Sequence, residues 1–229
     1  MQFSVRFIAK NLVCFLVILS GIVFTASCLH GSIFDDETME AELFHAASTG
    51  QISIIESLLN KGVNINARDV ENETPLMYAA TEGQVNTVML LINKGAEVNA
   101  ISDNRETALG RATGRGQTEA VAVLLNNGAQ IEKGGDNGST PLMIASSGSH
   151  VGAMKLLLSH GANINAKDWN GDTALAYACI RGADTSAVQV LLDNGAKIND
   201  ANKTGETPLF LAAREGHKNL VELLKERKE

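Results

Sequence analysis

Residues 74–99 read TPLMYAATEGQVNTVMLLINKGAEVN. Thr74 has a hydroxyl that can accept from a free N–H at the start of a helix. Pro75 then occupies the first helical position, where no N–H is required. Leu76, Ala79 and Ala80 form an apolar stripe that must be covered from outside this segment. Gly83 favours the left-handed conformation that ends a helix. The apolar pattern resumes at Val85 and runs to about Lys94, with Val88, Leu90 and Leu91 inward, and Gly95 stops it. Val98 and Asn99 lead into a turn that projects as a finger before the next helix. The stretch therefore predicts a helix, a turn, a second helix and a finger.

The pattern recurs. The T-x-L triplet stands at Thr74, Thr107, Thr140, Thr173 and Thr207, so the period is 33 residues with one step of 34. The second half of the unit repeats in phase as LLNKGVNINARD, LINKGAEVNAIS, LLNNGAQIEKGG, LLSHGANINAKD and LLDNGAKINDAN. At TPL, the Ala pair, Gly, LL, GA and the Asn of NINA, the chain resembles the ankyrin-repeat family over residues 38–229. The resemblance implies an all-α repeat solenoid of six units, each a helix-turn-helix with a β-hairpin finger, closed by polar end caps. The units begin near Thr38, Glu71, Asn104, Asn137, Asn170 and Thr204. One unit is too small to bury its own apolar face, so stacking must supply the core.

Departures from the pattern carry information. The first unit reads EAELFHAAS, with Glu42 where Pro is usual, and the last ends LVELLKERKE; both suit caps with a polar outer face. The fourth unit has Gly148-Ser149 where the others place a residue before Gly. The fifth carries one extra residue within Gly182–Ser186. The third ends IEKGGDNG, with Glu132 in place of Asn, and its finger is expected to be the most mobile.

Residues 1–28 read as a leader, not as part of the fold. Arg6 and Lys10 form a positive start, Leu12–Ala26 is a 15-residue run without charge, and small residues follow. A bilayer-spanning helix needs roughly 20 apolar residues, so the run suits a secretory signal better. FTASC, ending at Cys28, resembles a bacterial lipoprotein signal, although Thr25 stands where Leu is usual. That resemblance implies lipid on Cys28; ordinary secretion and an uncleaved anchor remain open alternatives. Leu29–Glu37 would be a tether reaching about 30 Å. The chain is then exported, to the periplasm or to a membrane through a lipid anchor.

Aromatic residues make up only 4% of the chain, which a thin-layered stack built on Ala and Leu can tolerate. Net charge is −7, and all basic residues of the leader lie outside the more acidic body. An acidic body lacks the basic surface that replaces counterions on nucleic acid. Cys14, Cys28 and Cys179 form neither a zinc spacing nor an even disulfide framework. Cys179, at an Ala or Ser position of the repeat, reads as a small buried residue.

Motifs that would carry chemistry fail on detail. Asp168–Asp172 (DWNGD) opens like a calcium loop, but its twelfth position is Cys179 and not Glu. GRATGRGQT lacks GK[ST], and the five histidines have no ligand spacing. The sequons at Asn72, Asn137 and Asn202 arise from the finger consensus. No catalytic residue, cofactor or metal is expected.

In the ankyrin family, partners contact the finger tips and the exposed side of the first helices. By position this surface holds His45, Tyr78, Arg111, Ile144, Tyr177 and Leu211, then Thr81, Glu82, Gly114, Arg115, Ile180, Arg181, Arg214 and Glu215. Trp169 falls at a finger tip. Tyr78, Arg111, Arg115, Ile144, Trp169, Tyr177 and Arg181 are the candidate partner-binding residues, since aromatics and Arg dominate interface energetics. Packing of the tyrosines and solvation of the arginines are the competing readings. The resemblance implies a monomeric interaction module for an unidentified protein in the bacterial envelope. The alternatives are a secreted effector acting on host proteins and an enzyme inhibitor or immunity protein.

Overall fold

The computed structural model describes residues 33–227. The leader at 1–28, with Cys14 and Cys28, lies outside them. Twelve helices run in chain order among the described residues. They are α1 (Ile33–Thr49) and α2 (Ile52–Asn60), α3 (Pro75–Thr81) and α4 (Val85–Asn93), and α5 (Ala108–Gly114) and α6 (Thr118–Asn126). Then come α7 (Pro141–Ser147) and α8 (Val151–Ser159), α9 (Ala174–Arg181) and α10 (Thr185–Asp193), and α11 (Pro208–Arg214) and α12 (Lys218–Glu226). The chain divides at Glu42/Leu43 into two units. In the first, the described residues are the opening turns of α1. The second holds the helical pairs.

The tether expected at Leu29–Glu37 is in part helix, because α1 begins at Ile33. The run from Glu37 to Leu43 is rich in strong helix formers and has no Gly or Pro to stop the helix growing backward.

Five threonines start five helices. The hydroxyls of Thr74, Thr107, Thr140, Thr173 and Thr207 accept the N–H of Met77, Gly110, Met143, Ala176 and Phe210 at 3.1–3.4 Å. In α3 and α7 the cap is reciprocal: the Met77 and Met143 sulfurs accept the N–H of Thr74 and Thr140. Pro75, Pro141 and Pro208 follow their caps directly.

Within the second unit, α3, α5, α7, α9 and α11 pack one on the next, and α2, α4, α6, α8, α10 and α12 form a second layer behind them. Small residues allow the close approach. Ala79, Ala80, Ala112, Ala145, Ala178 and Cys179 are fully enclosed. Burial pushes the Cys179 thiol up to about 12, so it stays protonated and unreactive. Leu76, Leu109, Leu142 and Leu175 lie between layers with Val88, Leu91, Leu124, Met154, Leu157 and Leu191. Leu90, expected inward, is only half-buried. Each fully covered Leu contributes about 1.5–3 kcal/mol relative to exposure.

Polar side chains stitch each unit to the next. Asn66, Asn99 and Asn165 accept, through Oδ1, the N–H of Glu97, Gln130 and Lys197 in the following unit, at 2.8–3.0 Å. Glu132, which breaks the Asn pattern, does the same job: its Oε1 accepts the Asn163 N–H at 2.7 Å. A second row lies at the turn between helices. Gln84 and Gln117 donate to the carbonyls of Ser48 and Thr81, at 3.1 and 3.2 Å. The His150 and His217 rings reach the carbonyls of Gly114 and Ile180, at 3.2 and 3.3 Å. A Cβ on Gly116 would lie 2.6 Å from the His150 ring, so Gly is required there both by contact and by its φ of +68°.

The fifth unit breaks this row and repairs it. Ala183 makes the same backbone bond as Gln84 and His150, yet it has no polar side chain. The extra residue after it, Asp184, donates its N–H to Ser149 Oγ at 2.8 Å. Ser149 stands at the glycine position of the turn with φ +57°. The departures in units four and five are therefore two sides of one contact.

The fingers were expected as β-hairpins, but no strand is present among the described residues. Four fingers are turns held by the side chain at one repeat position, Asp69, Ser102, Asp168 or Asn202. Asp69 Oδ1 accepts the N–H of Glu71 and Glu73, and Asp168 Oδ1 accepts those of Asn170 and Asp172, at 2.8–2.9 Å. In these two fingers the carboxylate takes donors that a ladder would use. Gly135 holds the corresponding place in the IEKGGDNG finger and has no side chain to offer.

Two substitutions test the stitches and the core. Asn99 also donates to the Gly128 carbonyl at 2.9 Å. Asn99→Ala should lower unfolding free energy by about 1–2 kcal/mol in a urea titration, with Glu132→Gln near neutral. Thr87 has a buried hydroxyl with no partner. Thr87→Val should stabilise by about 1 kcal/mol in the same titration.

Candidate protein-interaction surface

The candidate residues sit on three levels: the bodies of the first helices, their C-terminal corners, and the finger tips. Tyr78, Arg111, Ile144 and Tyr177 occupy equivalent positions on the helix bodies and are all half-buried. The polar tips of Tyr78, Arg111 and Tyr177 turn toward the fingers. The Tyr78 hydroxyl donates to Asp69 Oδ2 at 2.8 Å, and its ring lies 5.3 Å from that of Phe44. The Tyr177 hydroxyl donates to Asp168 Oδ2 at 3.0 Å and accepts from Asn137 Nδ2 at 2.7 Å. Burial, followed by the Asp168 hydrogen bond, pushes this phenol up to about 12, so it remains a neutral donor. One carboxylate thus serves two purposes in these two fingers: one oxygen ties the turn and the other anchors the helix below.

Arg111 does the equivalent work with charge. Its guanidinium lies between Glu73 and Glu106, the latter at 2.8 Å. Glu73 is nearly enclosed. Burial first, and then nearby Asp136, raise the Glu106 carboxyl above its ordinary value. Ile144 packs across the units against Gly114, where an added Cβ would sit 3.4 Å away. Leu211, expected to be exposed at this position, is instead buried at 1%.

The corners differ. Arg115 and Arg181 are exposed and make no ion pair among the described residues. At the finger tips, successive backbones join: Asp103, Trp169 and Lys203 donate their N–H to the carbonyls of Glu71, Asn137 and Asn170, at 2.9–3.0 Å. The Trp169 indole lies over Gly138, where a Cβ would come within 2.7 Å of the ring. The residue is nevertheless 64% exposed.

Sequence reasoning missed four exposed apolar groups, Val70, Met89, Ile101 and Phe210. Val70, 63% exposed, shares the finger column of Trp169. Phe210 is 53% exposed at the position where Met77, Met143 and Ala176 are enclosed by the next unit. The signal for Phe210 was present: it belongs to the last helical pair, which has no following unit among the described residues to cover it.

This geometry separates anchors from free groups. Arg111→Ala would strand the Glu73 carboxylate and should cost about 2–3 kcal/mol in a urea titration, discounted from a fully buried pair because Arg111 is partly wet. Arg115→Ala should fall within about 0.5 kcal/mol of the parent in the same experiment.

A family model described as ankyrin repeats (3 copies) matches residues 10–102, 99–168 and 167–229. The ankyrin repeat domain of human ASB11 superposes with a TM-score of 0.74 at 28% identity, covering 82% of this chain and 83% of that one. No curated protein matches the chain. Twelve helices in stacked pairs, threonine caps at a 33-residue period and the matching family model agree: the chain belongs to the ankyrin-repeat family.

Proposed function

We propose that this chain is a non-catalytic protein-binding module of the bacterial envelope, using the exposed side of its first helices and its finger tips. Ankyrin repeats are generally protein–protein interaction modules, and the fold is typically non-catalytic. The observation that carries the reading is Trp169, a large apolar side chain on a finger tip that lies against Gly138 and is still 64% exposed. A rigid aromatic presented this way suits an interface anchor. Arg115 and Arg181 extend the surface along the helix corners.

The envelope assignment rests on the leader. Its positive start, uncharged run and FTASC ending support export, with lipid on Cys28 as the one attachment to a membrane. The partner is a protein and not nucleic acid, given the acidic body, and the module is monomeric alone. The glutamate-rich opening of the first unit and the charged LKERKE of the last act as end caps.

Capture from envelope extract tests the binding surface. Trp169→Ala combined with Arg181→Ala should reduce recovered partner roughly tenfold while the melting temperature moves by no more than about 2–4 °C. Unchanged recovery would remove these residues from the interface. In the same host, globomycin should leave a longer, unlipidated precursor detectable by mass; an N-terminus without lipid in untreated cells contradicts the anchor at Cys28.

A further inference from the structure

The C-terminal corners of the first helices form a column of charge with a gap in its middle. Glu82, Arg115, Gly148, Arg181 and Glu215 occupy this corner in five successive units, and all five are exposed. Their helices α3, α5, α7, α9 and α11 pack in series. Packed helices lie about 8–10 Å apart, so Arg115 and Arg181, with one unit between them, are separated by roughly 20 Å.

Arg68, Arg111, Arg214 and Arg227 each hold a carboxylate. Arg115 and Arg181 hold none among the described residues, and neither does exposed Arg105 in a finger, in a chain of net charge −7. Carboxylates are plentiful on this protein, so two arginines left without one on the same column are open to a carboxylate from elsewhere. The guanidinium fork takes such a group with two parallel hydrogen bonds. In the unit between the two arginines Gly148 offers no side chain; half-buried Ile144 packs against Gly114 beside Arg115, and half-buried Ile180 precedes Arg181.

We propose that this corner binds an extended acidic protein segment, with one carboxylate at Arg115, a second at Arg181, and an apolar side chain between them over Ile144 and Ile180. An extended chain rises about 3.3 Å per residue, which places the two acids about six residues apart. Glu82 at one end, and the Arg214–Glu215 pair at the other, stop the acidic run from extending further. The inference rests on reading this face as the partner surface and adds the chemistry of what it takes.

Labelled peptides test it on the full chain by fluorescence anisotropy. One carries two glutamates about six residues apart with a leucine midway; a second replaces both glutamates by lysine; a third has the same composition with the glutamates adjacent. The spaced acidic peptide should bind best and weaken with added salt. Arg115→Glu and Arg181→Glu should each weaken it roughly tenfold or more. Ser147→Leu, which fills the gap, should also weaken it, and thermal melts should show all three variants folded. The proposal is overturned if the lysine peptide binds as well, if spacing makes no difference, if both charge reversals leave binding intact, or if the spaced peptide fails to bind up to about 1 mM. Partner capture that still depends on Trp169 while every peptide fails would sink this inference alone. Acidic-peptide binding that persists while Trp169→Ala leaves capture intact would count against the broader surface and not against this corner.

Discussion

The helices of the repeating units are too short to stand alone. The first helix of a pair spans seven residues in α3 and the second nine in α4, whereas isolated helices below roughly 12 residues are marginal in water. Their apolar stripes are therefore stable only when neighbouring units cover them. This requirement explains the enclosed Ala79 and Ala80, the threonine hydroxyls at each helix start, and the glutamines, histidines and asparagines that reach across unit boundaries. It also explains why Phe210, chemically suited to the core, stands exposed where no further unit lies against it among the described residues.

Function follows from what stacking leaves uncovered. The inner ends of the fingers are committed: Asp69 and Asp168 spend both oxygens on the turn and on a tyrosine, and Arg111 is held by two glutamates. These groups fix the finger on its helix, so the tips and corners beyond them are presented from a firm base. Trp169, Arg115 and Arg181, the proposed partner contacts, are among the exposed side chains that lie outside that base. Because stacking dictates almost nothing at these positions, they are where one such chain can differ from another in what it binds.

Much of the fold was legible because the repeat states the same physical problem several times. Caps, proline positions, the small paired residues and the phase of the units all follow from Thr74–Asn99 and its copies. The family resemblance was a poorer guide where side chains compete with backbone. The fingers read as hairpins, yet the carboxylates of Asp69 and Asp168 take the donors that a ladder would need. At the candidate surface, position in the repeat located the residues but did not say which were already engaged. Tyr78, Tyr177 and Arg111 find partners nine residues away, or in the previous unit, and no spacing rule announces that. Glu132 looked like a defect and proved a substitute, since a carboxylate oxygen can accept the same N–H as an amide oxygen.

Native-state hydrogen exchange tests most directly whether the units hold one another. The N–H groups of Glu97, Gln130, Asn163 and Lys197 lie in turns, and each is bound by a side chain of the preceding unit. They should exchange as slowly as the helical amides of α3 to α10, with α11 and α12, covered on one side only among the described residues, opening earlier. If those four amides exchange at the rate of free turns, or if each helical pair loses protection independently of its neighbours, the dependence of every unit on the next is contradicted.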